Sequence, residues 1–219
     1  MAAKLLINGL SNSGKTTLLS TLKDVLVISH DGKNYPYPQA HTNVETFGSI
    51  DELIALVNNK IGAYESKFKK YPATIAFDSV SKIFDTIMDN CNTKFTGFKI
   101  YSELNIEIHK FTDYIQNTLI ANGVSVVLVS HSLYDADTAT YTLVGKGDFA
   151  KRGGFLSEVD NAVFVETKNN KRIVHHKSTK FPARSMLEIP DSQPSEEYNL
   201  QDHINLLLKQ KDAVADFVL

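Results

Sequence analysis

The sequence predicts an α/β fold, a mainly parallel sheet with helices on both faces. Three observations carry that prediction. Short apolar or β-branched runs alternate with helical periodicity through the first 130 residues. Two of those runs, "ATIAF" at 73–77 and "VSVVLV" at 124–129, are apolar almost throughout, as strands buried on both faces are. A glycine-bracketed segment, "GLSNSGKT" at 9–16, stands directly between the first strand and the first helical stretch.

Taken in order, "KLLIN" at 4–8 reads as a strand and 14–23 as a helix. "VLVIS" at 25–29 is a second strand and "NVETF" at 43–47 a third. Residues 50–68 repeat apolar positions at three and four, the period of a helix with one buried face. Pro72 introduces the strand at 73–77, and 79–90 and 102–121 read as helices around it and the strand at 124–129. Beyond 131 the texture turns polar and glycine-spotted, with weak strand signal at 140–144. "NAVFVE" and "RIVHH" then flank "TKNNK", a C-terminal β-hairpin extension in which Asn169 and Asn170 supply positive φ. "SMLEI" at 185–189 is a further strand, "EIPDSQPSEEY" a linker, and 199–217 a terminal amphipathic helix. The expected division is a core over 1–190 and a linker with helix over 191–219.

A chain of 219 residues suffices for one sizeable α/β domain. The single cysteine, Cys91, makes no internal disulfide, and no Cys/His spacing suits zinc, which points to a reducing compartment. The longest apolar run, at 124–130, is far shorter than a bilayer span, so a cytoplasmic location and no membrane partner are expected. The net charge of −2 does not announce a nucleic-acid binder, but its distribution is uneven. Residues 151–184 carry eight basic against three acidic side chains, and 185–219 carry two against seven.

Gly9 to Thr16 spell G-x-x-x-x-G-K-T in the strand-to-helix setting that gives the pattern meaning. Glycines let backbone N–H groups turn inward around a phosphate. Gly9, Ser11, Asn12, Ser13, Gly14, Lys15, Thr16 and Thr17 are therefore the candidate nucleotide cradle. Lys15 is expected on the β- and γ-phosphates, Thr16 on Mg²⁺ and Thr17 over the α-phosphate. Asp78 ends the buried strand "TIAFD" and is the second candidate Mg²⁺ ligand, in competition with a simple helix-capping role. His30 and Asp31, and Ser130 and His131, follow two other buried strands, so polar groups collect at several strand tips. With no N-K-x-D segment after the strand at 124–129, ATP is favoured over GTP.

On these residues the chain resembles the RecA-like P-loop ATPases, and among them the compact phage single-strand annealing proteins that consist of little more than a RecA core. "GLSNSGKT" matches the Walker-A motif and "IAFDS" the Walker-B motif. The resemblance implies a water-polarising acid at the position of Asp31, with Glu45 as the substitute because the family usually has glutamate there. It implies a polar sensor at Ser130 and His131, on a strand lying between the Walker-A and Walker-B strands. It further implies that "HHKSTKFPAR" presents Lys177 and Lys180 to the ATP of a neighbouring subunit. Two DNA-binding loops are implied. The first covers 90–103, with Lys94, Phe98 and Lys99; the second is a mobile segment over 132–152, with Lys146, Lys151 and Arg152. Interleaved cations and rings suit single-stranded DNA, although the first segment reads equally as a helix–helix connection.

The implied activity is DNA-stimulated ATP hydrolysis by a ring or filament that anneals or exchanges single strands in recombination. The implied location is the host cytoplasm if the chain is phage-encoded. A helicase-like motor and a nucleotide-gated scaffold for a single-strand-binding or replication protein remain alternatives, the latter using the C-terminal "VADFVL" as a docking segment.

Overall fold

The computed structural model describes residues 1–32 and 34–215. The strands are β1 (Lys4–Gly9), β2 (Val25–Ser29), β3 (Ala40–Asn43), β4 (Thr74–Asp78), β5 (Ser125–Asp135), β6 (Thr140–Leu143), β7 (Asn161–Lys168), β8 (Lys171–His175) and β9 (Ser192–Pro194). The helices are α1 (Lys15–Leu18), α2 (Ile50–Phe68), α3 (Val80–Lys94), α4 (Phe98–Tyr114), α5 (Gly147–Lys151), α6 (Phe155–Glu158) and α7 (Leu200–Val214). Eight strands lie side by side in the order β3-β2-β4-β5-β1-β7-β8-β9, and β6 pairs with the outer end of β5. From β3 to β7 every neighbouring pair is parallel, whereas β8 and β9 are antiparallel additions.

Alternating strand residues feed two separate cores, which is why these strands are apolar on both faces. Leu6, Ile28, Ile75, Phe77, Val126 and Leu128 point to the side covered by α2, α3 and α4. Leu5, Ile7, Val27, Ala76, Val127 and Val129 face α1 and α7 on the other side. Ser49 caps α2 by accepting from the Glu52 N–H, and Asn199 caps α7 by accepting from the Asp202 N–H. The hairpin turn carries φ 51° at Asn169 and 61° at Asn170, as its sequence predicts.

Several expected boundaries are corrected. The third strand covers 40–43 rather than 43–47, because Val44 and Phe47 enter the core from irregular backbone leading to the Ser49 cap. The helix expected over 14–23 is one helical turn followed by a 3₁₀ turn over Leu19–Thr21. No strand forms over 185–189; Leu187 and Ile189 are apolar anchors for the α7-side core. The predicted linker instead donates β9 to the sheet edge, where Pro194 is tolerated.

The segment 132–152 is folded. β5 continues through it as a hairpin with β6, and Phe149 on α5 packs against Phe84 and Phe155. Residues 90–103 are helical except at 95–97, so the connection between α3 and α4 is a short elbow. α7 fills the expected terminal helix to Val214, and residues 216–219 of the "VADFVL" segment lie outside the described residues. Among the described residues no helix is long and apolar enough to cross a membrane.

Candidate functional site

The sheet order brings three strand tips together. β5 lies between β1 and β4, with Gly9 opposite His131, Asn8 opposite Ser130, and Asp78 opposite Val129. Ligands of open parallel sheets bind at such carboxyl-terminal tips. Immediately after β1 the chain turns through Leu10 to Gly14. A Cβ on Gly9 would sit 2.5 Å from the Val165 carbonyl oxygen and 2.8 Å from Ser13 Oγ, so only glycine fits. Asn8, just before it, is buried and fixed from three sides. Its Nδ2 donates to the Val163 and Pro182 carbonyls at 2.9 and 2.7 Å, and its Oδ1 accepts from Ser132 Oγ at 2.9 Å. The base of the turn is thereby bolted to β5, β7 and the segment after β8.

Lys15 is 5% exposed, and its ammonium donates to the Gly9 and Leu10 carbonyls at 3.0 and 2.7 Å. The ammonium is thereby held against the loop that carries it. Thr16 Oγ1 donates to Asp78 Oδ2 at 2.9 Å. The hydroxyl and carboxylate that sequence places 62 residues apart are thus in direct contact. Tyr35 Oη donates to the same Asp78 oxygen at 2.9 Å, and Tyr37 Oη donates to the Thr16 carbonyl. Burial, then the adjacent Asp78 carboxylate, pushes the Tyr35 hydroxyl pKa above the ordinary tyrosine range, which keeps it a donor. The Tyr37 hydroxyl is pushed up for the same two reasons.

Ser11, Asn12, Gly14, Lys15, Thr16, Thr17, Asp31, His131 and Arg172 line one cavity of about 430 Å³. Seven are expected site residues from the loop and the β2 tip, and His131 is the expected sensor. Gly9 and Ser13 form the floor beneath them; Ser13 is buried, and its N–H donates to the Leu10 carbonyl at 3.3 Å. Asp31 accepts from Ser29 Oγ at 3.3 Å. Glu45 is exposed on the neighbouring tip, against Gly32, and does not line the cavity. Ser130 also stays outside it, buried with its Oγ 3.1 Å from Ser81 Oγ. The two members of the expected sensor pair therefore divide, His131 toward the cavity and Ser130 toward α3.

Lys177 and Lys180 do not line the cavity of their own chain. Lys180 Nζ lies 5.4 Å from the Phe181 ring centre and 5.9 Å from that of Tyr141, beside a second cavity of about 440 Å³. The expected DNA-contacting residues fall in two groups bordering α4. At the α3–α4 elbow Phe98 is 86% exposed, Lys99 lies 4.9 Å from the Phe95 ring centre, and Lys94 donates to the Gly48 carbonyl. On and beside α5, Lys146 pairs with Asp85 at 3.2 Å and Lys151 with Asp148 at 3.3 Å. Arg152 lines a small cleft with Asn105 and Glu158.

Sequence reasoning missed Tyr35, Tyr37 and Arg172. The "YPYP" segment at 35–38 follows the β2 tip, and its two prolines restrict a stretch that must fold back over the loop. That is a signal for the tyrosines. Arg172 carried no signal beyond its charge.

The residues present fit a magnesium-bound triphosphate. A loop that rejects a Cβ at Gly9, a lysine at its mouth and a hydroxyl–carboxylate pair supply the required amides, cation and oxygen ligands. Among the described residues no group of three or more His, Cys, Asp or Glu side chains could hold a different kind of metal centre. A family model described as an AAA domain matches residues 1–186. No curated protein matches the chain.

Proposed function

The chain belongs to the AAA-domain family of P-loop ATPases, which implies ATP binding and hydrolysis, and from that premise we propose a more specific role. The protein is a RecA-like ATPase that binds single-stranded DNA and promotes annealing or strand exchange as a ring or filament. The observation that carries the ATPase part is the Thr16–Asp78 contact beside Lys15, the minimum apparatus for a metal-bound triphosphate.

Thr16 and Asp78 would hold Mg²⁺, which would supply positive charge to the triphosphate. Tyr35, donating to the same Asp78 oxygen as Thr16, keeps that carboxylate oriented. Lys15 swings from the Gly9 and Leu10 carbonyls to the phosphates. Asp31, on the rim, orients a water for attack on the γ-phosphorus; the new P–O bond forms as the bond to the β–γ bridging oxygen breaks, ADP leaves with that oxygen, and the water's proton passes to the phosphate product. His131 reads the γ-phosphate from the central strand. Lys177 and Lys180 act on the ATP of an adjoining subunit, which makes turnover depend on assembly.

Support for the DNA part is the exposed Phe98 with Lys94 and Lys99 at the α3–α4 elbow, and the Lys146–Arg152 segment, whose helix α5 packs on α4. ATP turnover measured with and without single-stranded DNA, alongside particle mass by light scattering, tests the reading. Stimulation by DNA with a multimeric particle is expected. Turnover indifferent to DNA in a monomer overturns the DNA and assembly parts, and loss of nothing on Lys15→Ala overturns the ATPase itself.

A further inference from the structure

We propose that Arg172 is a phosphate-gripping residue supplied in cis, closing over the nucleotide from the β7–β8 hairpin. The proposal rests on the ATP site described above and deepens it. Three observations carry it.

First, Arg172 lines the same cavity as Lys15, Thr16, Asp31 and His131, although it is 157 positions from Lys15 in sequence. β7 pairs with β1 only through Phe164 and then runs on past the end of β1. Its hairpin partner β8 therefore begins above the glycine turn, with Arg172 opposite Thr167.

Second, the fit to the loop is close. A Cβ on Gly14, at φ +97°, would stand 2.9 Å from Arg172 Cδ and Nε and 3.0 Å from Cζ. The second glycine of the cradle thus serves two purposes: it permits the left-handed turn and it leaves room for a guanidinium. A planar fork with several N–H donors held there reaches phosphate oxygens in the geometry it binds best.

Third, the group is anchored by its backbone, and its tip reaches the cavity. The Arg172 carbonyl accepts from the Ser195 N–H at 2.9 Å, so the residue is tied to β7 on one side and to the segment after β9 on the other. Among the described residues the guanidinium has no carboxylate partner. The nearby acid Glu166, on the same hairpin, is occupied by His175 Nε2 at 2.9 Å.

The assignment separates two jobs. Arg172 holds the phosphate chain in any single subunit, whereas the lysines at 177 and 180 act only across an interface. Nucleotide affinity is then a property of the lone chain.

The test measures ADP and Mg²⁺–ATP affinity by calorimetry for the wild type, Arg172→Ala and Arg172→Lys, with inorganic tripolyphosphate as a competitor lacking a base. Because the side chain is exposed, the urea midpoint of Arg172→Ala should match the wild type. The alanine variant is expected to bind ADP, ATP and tripolyphosphate about tenfold more weakly, the usual scale for a lost charge-assisted hydrogen bond. The lysine variant should fall between. Unchanged affinities for ADP and ATP overturn the proposal. So does weaker ATP binding with unchanged tripolyphosphate competition, which would mean that Arg172 stacks on the base. A wild type that binds no nucleotide defeats the ATPase reading as well. A wild type that binds, a Lys15→Ala variant that does not and an Arg172→Ala variant indistinguishable from wild type defeat this inference alone.

Discussion

The Tyr35 hydroxyl donates to Asp78 Oδ2 at 2.9 Å, on the very oxygen that also accepts from Thr16. A carboxylate oxygen with two donors on it is fixed in direction, and a fixed carboxylate is a better metal ligand than a rotating one. Tyr35→Phe keeps the buried ring against Tyr37 and His41 and removes only that donor. The Mg²⁺ concentration for half-maximal ATP turnover should rise about tenfold. An unchanged Mg²⁺ dependence would show that Asp78 needs no such support.

Asp78 is completely buried, so Asp78→Asn changes charge with little change in volume. Turnover should fall by roughly 10²–10³-fold, the scale of losing one preorganised electrostatic contact. ADP binding measured without Mg²⁺ should survive, because the amide nest and Lys15 remain. Retained turnover would remove Asp78 from the metal site.

Lys180 is stacked near Tyr141 and Phe181, away from its own chain's cavity. If it serves the neighbouring subunit, Lys15→Ala and Lys180→Ala chains, each impaired in ATP turnover alone, should recover part of it when mixed in equal amounts. Of the two orders of mixed interface, one then combines an intact cradle with an intact lysine. Mixtures no more active than the weighted average of the two variants would place Lys180 outside the trans role.

Three imidazoles are held neutral. Burial lowers His30 to about 4 and, with His175 and Lys177 adding to the effect, lowers His176 to about 4. Burial, then the nearby His176, lowers His203 to about 4 as well. All three bind protons more readily in the unfolded chain, whose value is 6.5. Their contribution to stability is therefore complete above pH 6.5 and is lost as the pH falls from there to about 4. The urea midpoint should drop across that window. His176→Phe, which replaces a ring with both nitrogens unsatisfied, should flatten the drop, and an unaltered pH profile would count against this origin.

What could be read from the sequence follows from how local each feature is. The cradle was legible because Gly9, Gly14, Lys15 and Thr16 lie within eight positions, and Asp78 because a buried strand that ends in a carboxylate exposes a local break in pattern. The hairpin at 169–170 was legible from two asparagines. By contrast, Ser192–Pro194 looks like a linker in isolation and becomes a strand only because β8 offers it an edge. Val44 and Phe47 mimic strand residues while burying themselves from a loop. Tyr35 and Arg172 join the site through tertiary placement, one by a chain reversal after β2 and the other by the overhang of β7 past β1. Charge alone could not choose Arg172 among the eight basic residues between 151 and 184.

β5 runs for eleven residues without a break, yet only its inner part has strands on both sides. Beyond His131 it leans on β6 through Ser132–Asp135. Its partner therefore changes from β1 to β6 at the residue that faces the cradle. Amide protons of Val126–Val129 should survive longest in deuterated water, whereas those of Leu133–Asp135 exchange through small local openings that leave the sheet intact. The strand that brings His131 to the cavity thus also carries the outer hairpin, so the site's edge and that hairpin share one continuous backbone.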